Sequence, residues 1–283
     1  MSSTSPSSAA QAARAALVGR LVVLRKTAGL KAFEVAALCG WHKSKVSRIE
    51  NARMLPSEAD IRAWCRACGA EHQLDELLTA SRSVDEMYVD WRRVHQHGIR
   101  RVHETTVPLY QRTRLLRVYC SNVVPGLVQT REYATALLSA ISEFQGTPND
   151  AGEAADARLR RSRVLYESGH RFVVLVEETV LRYRVGGPQV MDAQLAGLLD
   201  VMSLPSLAFG VIPFTADRSM WPVETFMVFD MARVQVETLS AAVNITSPSE
   251  IGVYARAFGQ LQDLAVFGAK ARALVRAARD ALE

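Results

Sequence analysis

Residues 40–57 read GWHKSKVSRIENARMLPS. Val46 and Ile49 lie three residues apart, so at 100° per residue they share one side of a short helix. Lys43, Ser44, Ser47 and Arg48 then fall on the other side, with Lys45 at the flank. Gly40, with Trp41 and His42, fits a three- to four-residue turn joining this helix to one before it. A basic, hydroxyl-bearing helix displayed away from its core suits the major groove of DNA. A helix fits the groove, Arg or Lys donates to guanine O6 and N7, and Ser pairs with several base edges. Taken alone, such a helix is more simply a solvated basic face, so its surroundings decide.

Upstream, Leu17, Leu21 and Leu24 recur at helix spacing, and Ala28-Gly29 ends that helix. Val35, Leu38 and Cys39 mark a second helix, stopped at Gly40. Downstream, Ser57 is placed as an N-cap with Asp60 three residues on, close to a capping box. That helix carries Ile61, Trp64, Cys65 and Cys68 and ends at Gly69; Leu74, Leu77 and Leu78 make a short fifth. The charge distribution agrees. Residues 1–117 carry 19 Lys+Arg against 11 Asp+Glu, whereas residues 118–283 carry 15 against 18. A basic N-terminal part on a near-neutral remainder reads as one module for a polyanion and another for something else.

The rest mixes helix and strand. RFVVLVE (171–177), LAFGVI (207–212), TFMVFDM (225–231) and RVQVETL (233–239) have strand composition and length, with a helix between the first two. Thr130 is placed to cap a helix reaching about Ser142. The expected fold class is α+β: an all-α five-helix helix-turn-helix domain, then an α+β domain with a small, mostly antiparallel sheet. The expected division is a disordered Ser/Ala tail over 1–13, the helix-turn-helix domain over 14–80, a helical connector over 81–107 and the α+β domain over 108–283. The connector's stripe of Val84, Met87, Tyr88, Trp91 and Val94 serves dimerisation or simply packs on the next domain.

Several classes are disfavoured. No run approaches the roughly 20 uninterrupted apolar residues of a membrane helix, and the N-terminus lacks a secretory pattern, so a cytoplasmic protein is expected. Cys39, Cys65, Cys68 and Cys120, even with His42 and His72, match no strong zinc spacing. Neither a metal nor a cofactor is expected. Nucleophile-elbow, phosphate-loop, dinucleotide and zinc-protease motifs are all lacking, so an enzyme is not expected. Glu177 and Glu178 read as one exposed charge and one partner for Arg182 or Arg184, and Gly186-Gly187-Pro188 as a turn before a helix. Tyr183, Trp221, Phe226 and Phe229 are candidates for a small-molecule effector pocket, against the alternative of an ordinary core.

Residues 17–70 resemble the helix-turn-helix domain of the XRE/Cro repressor family. The pattern S-K-[VI]-S-R-[IW]-E-N-G/A-x-R-x-P is matched by SKVSRIENARMLPS, and the family's first-helix pattern is approximated by LVGRLVVLRKTAGL. The resemblance implies base reading by Lys43, Ser44 and Arg48, with His42 and Ser47 beside them. It implies phosphate contacts from Lys31, Asn51 and Arg53, to which Lys45 and Arg14 are added as basic neighbours. The family's usual Gln at the second position of helix two is Ala32 here, which cannot hydrogen-bond a phosphate. Residues 84–283, through VPGLVQTREYA, VLVEETVLRYRVGGPQVMDAQLAGLL and GVIPF, resemble the C-terminal domain of actinobacterial, toxin–antitoxin-like XRE regulators. The expected function is sequence-specific binding of double-stranded DNA by a homodimer that regulates transcription. The alternative is an antitoxin-like module that chiefly binds a small partner protein and binds DNA for autoregulation.

Overall fold

A computed structural model describes residues 6–282 and divides the chain into two compact units between Val89 and Asp90. The first unit consists of α1 (Pro6–Thr27), α2 (Ala32–Leu38), α3 (Lys43–Glu50), α4 (Glu58–Ala67) and α5 (Leu74–Met87). Leu17, Leu21, Val35, Val46, Ile49, Ile61, Trp64 and Leu77 bury one shared core. The Trp64 indole N–H donates to the Leu21 carbonyl at 3.0 Å, so the large ring is buried without an orphaned donor. Ser57 and Asp60 form the capping box reciprocally: Asp60 N–H donates to Ser57 Oγ, and Ser57 N–H donates to the Asp60 carboxylate.

Two boundaries differ from expectation. The tail expected over residues 1–13 is helical from Pro6 onward, and residues 1–5 lie outside the described residues. Alanine-rich sequence favours helix, and a proline in the first turn loses no hydrogen bond. The fifth helix and the start of the connector form one helix, because nothing breaks the buried stripe of Leu77, Ser81 and Val84. That helix stops at Tyr88, whose backbone is extended, so the connector's expected stripe does not continue.

The turn after α3 places Ala52 at φ 52°, a left-handed conformation that costs any residue with a Cβ. Ala52→Gly should raise stability by about 0.5–1 kcal/mol, read as a higher urea midpoint. A lower midpoint would show that Ala52's methyl group contributes more than its backbone strain costs.

A three-residue strand, β1 (Tyr88–Asp90), spans the division. The second unit begins with α6 (Trp91–His95) and α7 (Arg100–Arg112). Then come β2 (Leu115–Cys120), α8 (Arg131–Gln145), α9 (Ala151–Ser162), β3 (Arg171–Glu177), α10 (Pro188–Val201) and β4 (Leu207–Ile212). Strands β5 (Phe226–Phe229), β6 (Arg233–Glu237) and β7 (Ala241–Ile245) precede α11 (Pro248–Leu264) and α12 (Gly268–Asp280). Thr130 caps α8, its Oγ1 accepting from Tyr133 N–H at 3.3 Å. Asp230, at φ 51°, turns the β5–β6 hairpin and accepts from Leu115 N–H at 2.8 Å.

The strands run β7-β6-β5-β2-β3-β4. Val118 of β2 lies opposite Val174 of β3, and Val174 opposite Phe209 of β4, both in parallel register. The β2–β5, β5–β6 and β6–β7 pairs are antiparallel. The sheet is therefore larger than expected and mixed. Parallel neighbours need long crossovers, and α8 with α9, then α10, supply them. Leu195 of α10 and Val275 of α12 bury one face, in a cluster with Val118 and Val174. On the other face Phe258 of α11 meets Phe226 edge-on, with ring centroids 6.4 Å apart. Coverage on both faces explains why β3, β4 and β5 read as nearly continuous apolar runs.

Candidate nucleic-acid interface

Helix α2 ends at a tight turn in which Gly40 takes φ 68°, a conformation that favours glycine. Two backbone bonds close it, Gly40 N–H to Ala37 O at 3.1 Å and Trp41 N–H to Ala36 O at 2.7 Å. His42 then caps α3: its Nδ1 accepts from Ser44 N–H at 3.3 Å and lies 2.8 Å from Ser44 Oγ. With Nδ1 as acceptor, Nε2–H is the ring's donor. Capping fixes the first turn, where groove-reading side chains sit in such motifs.

Val46 and Ile49 are wholly buried, while His42, Lys43, Ser44, Ser47 and Arg48 are all exposed. The 3.6-residue period thus separates an anchoring side from a displayed side on a helix of eight residues. Arg48 Nε makes only a long 3.4 Å contact with Ser44 O, and its guanidinium has no ion pair among the described residues. Glu50, the acidic residue of α3, is drawn inward by Arg25 at 2.5 Å, and Arg25 also donates to Leu30 O at 2.8 Å. This pair ties α3 to α1 and takes a negative charge off the displayed side.

The residues expected to touch phosphate are not alike. Lys31, Asn51 and Arg53 are exposed, at the start of α2 and in the turn after α3. Asn51 Nδ2 donates to Ser47 O at 2.7 Å and so closes the helix as well. Lys45 is set apart: its Nζ pairs with Asp60 at 2.6 Å and lies 4.3 Å from the centre of the Trp41 ring. Burial pushes the Asp60 carboxyl up, but hydrogen bonds from Lys45 and Ser57 outweigh it and hold Asp60 below the usual range. Lys45 therefore fastens α3 to α4, and a phosphate would compete with an existing partner. Arg14 is half-buried on α1, its Nε enclosed without a hydrogen-bond partner among the described residues. Ala32 is half-buried against the helical core, so the position occupied by Gln in the resembling family serves packing here.

In the second unit the four aromatic candidates do not form a pocket. Tyr183 and Trp221 are 50% and 68% exposed. Phe226 and Phe229 are buried on opposite sides of β5, Phe226 against Tyr254 and Phe258, Phe229 against Tyr110. An odd spacing along a strand requires this. Of Glu177 and Glu178, neither is the exposed charge expected, since both are buried, but the expected partner of Arg182 is present in Glu178. Glu177 takes both guanidinium nitrogens of Arg218 and a 2.9 Å hydrogen bond from Tyr119 OH. Glu178 pairs with Arg182 at 2.9 Å and accepts from Phe214 N–H at 3.0 Å.

A cavity of about 430 Å³ lies elsewhere, between α7, α8, α9 and the β2–β5–β6 part of the sheet. Arg158 and Arg161 of α9 stand on its lining, residues that the sequence presents as part of a charged helix. One signal was available: Arg158 falls on the helix side that carries Ala151, Ala154 and Ala155, all of them buried.

The first unit and the displayed side of α3 define a helix-turn-helix DNA-binding protein, the class that includes many transcription regulators. Residues 16–78 match a helix-turn-helix domain. Residues 104–277 match a domain of unknown function, DUF5753; that match covers more than half of the chain, and the protein belongs to this family. No curated protein matches the chain. Among the described residues no helix is long and apolar enough to cross a membrane.

Proposed function

We propose that the protein is a cytoplasmic, sequence-specific transcription regulator of the XRE/Cro kind, a binding protein rather than an enzyme. It inserts α3 into the major groove. The observation that carries this reading is the division of α3 into buried Val46 and Ile49 and exposed Lys43, Ser44, Ser47 and Arg48. Lys43 and Arg48 supply donors for guanine, Ser44 and Ser47 supply hydroxyls, and Lys31, Asn51 and Arg53 set the register on the phosphates. One such domain buries little surface on DNA. Two copies on half-sites about one helical turn apart, roughly 34 Å, supply the rest.

Selection of bound sites from random DNA with the full chain tests this reading, and the expected product is a pair of related half-sites. Arg48→Ala should then cost about 1–3 kcal/mol at one base position and relax preference there. Arg53→Ala should weaken all sequences alike and lower the salt slope by about 1. Unchanged affinity and preference in Arg48→Ala would remove α3 from the groove.

A further inference from the structure

The cavity of the second unit has an apolar body and a cationic end. Ile99, Leu138 and Met227 contribute to the body. At the other end, Arg158 donates to Gln129 Oε1 and has its second terminal nitrogen 3.2 Å from His103 Nε2. Arg161 donates to Thr106 Oγ1 at 3.1 Å, and its guanidinium carbon lies 4.3 Å from the centre of the Tyr110 ring. Among the described residues neither arginine has a carboxylate within ion-pair distance. Glu237 is the acidic residue on the lining; it acts on Arg158 only from a distance. Arg158 keeps some accessible surface, but burial, with the Arg161 charge adding to it, holds its guanidinium down at about 10.

The unmet hydrogen bonds here are all of one kind. Arginine has no acceptor, so His103 Nε2 must accept from Arg158, and Nδ1 carries the ring proton. His103 is only 7% exposed, and its Nδ1 has no partner among the described residues. The Nε–H groups of Arg158 and Arg161 are likewise enclosed and unmet. Two positive charges without a counter-charge, each with an unmet donor and beside the unmet donor of a neutral imidazole, are costly in a folded protein. Arrangements of this kind belong to sites where stability is given up for binding. The missing component is a counter-charge, and the planar guanidinium matches carboxylate and phosphate oxygens.

We propose that this cavity binds a small organic anion, a carboxylate or phosphate carried on an apolar body, with Arg158 and Arg161 holding the charged end and the apolar lining holding the rest. Phe144 and Leu239 also line the cavity yet are 71% and 77% exposed, which places them at its mouth. The volume lies within the range of small-molecule sites. The site belongs to the second unit and does not depend on the DNA reading.

Calorimetric titration of the full chain with decanoate and 4-phenylbutyrate, against decanol and 4-phenylbutanol, tests the proposal. At least one carboxylate should bind once per chain and more than tenfold tighter than its own alcohol. Arg158→Gln and Arg161→Gln, checked for folding by circular dichroism, should each lose tenfold or more. Should either variant fail to fold, competition on the unaltered protein gives the same information. Inorganic phosphate should then weaken carboxylate binding more than chloride at equal ionic strength. The proposal is overturned if neither carboxylate binds, if the alcohols bind equally well, if folded arginine variants bind as tightly as the parent, or if phosphate competes no better than chloride.

Discussion

Ile49→Ala should lower the stability of the first unit by about 2–5 kcal/mol and remove DNA binding with it. Ile49 is wholly buried in the cluster that joins α1, α2, α3 and α4, beside Leu17, Leu21, Val35 and Trp64. Truncation removes three carbons from a position closed on every side, and the adjoining Arg25–Glu50 pair resists collapse of α3 into the space. Ile49→Val, which removes one carbon, should cost only about 0.5–1.5 kcal/mol and leave base preference intact. Urea denaturation followed by tryptophan fluorescence reads the loss through Trp41 and Trp64. If Ile49→Ala cost less than Ile49→Val is expected to, the face assigned to the core would be the wrong one, and with it the displayed side.

Arg218→Ala should cost about 3 kcal/mol, the second largest loss. Glu177 would keep its hydrogen bond from Tyr119 but lose both guanidinium contacts while remaining buried at the end of β3. The free energy lost is chiefly that of a charge left buried, because Arg218 itself is partly solvated. A double-mutant cycle separates these effects: Glu177→Gln in the Arg218→Ala background should recover part of the loss. If adding Glu177→Gln instead lowered stability further, the pair would not be what fastens Arg218 and its loop to β3.

The stretch over residues 40–57 was legible because its information is local. Val46 and Ile49 state the facing of α3 through helix period alone, and Gly40 and Ser57 mark its neighbours' ends through backbone conformation and capping. Strands β3 and β4 were legible by composition to the residue. The parallel half of the sheet was not drawn from the same sequence, although a strand, a helix and a strand succeed one another over 171–212, which is the pattern of a crossover. Strand β7 is hidden in the sequence for a different reason. Ala241-Ala242-Val243-Asn244-Ile245 has weak strand propensity, and it is a strand because β6 pairs with it and buries it.

Side chains that depend on distant partners are the least legible in the sequence. Lys45 looks like another groove cation until Asp60 and Trp41 surround it. Phe226 and Phe229 look like a pair until the strand turns them apart, and Arg158 and Arg161 are only part of a charged helix until α7 and the sheet close over them. By itself, the sequence determined the existence of the helix-turn-helix and the direction in which α3 displays Lys43, Ser44, Ser47 and Arg48, since periodicity and turn chemistry act over a few residues. Only the tertiary structure decided which charges are neutralised and which are left unpaired around a cavity. The groups that pair with a charge, or fail to, come from elements far apart in the chain, and no local pattern encodes their meeting.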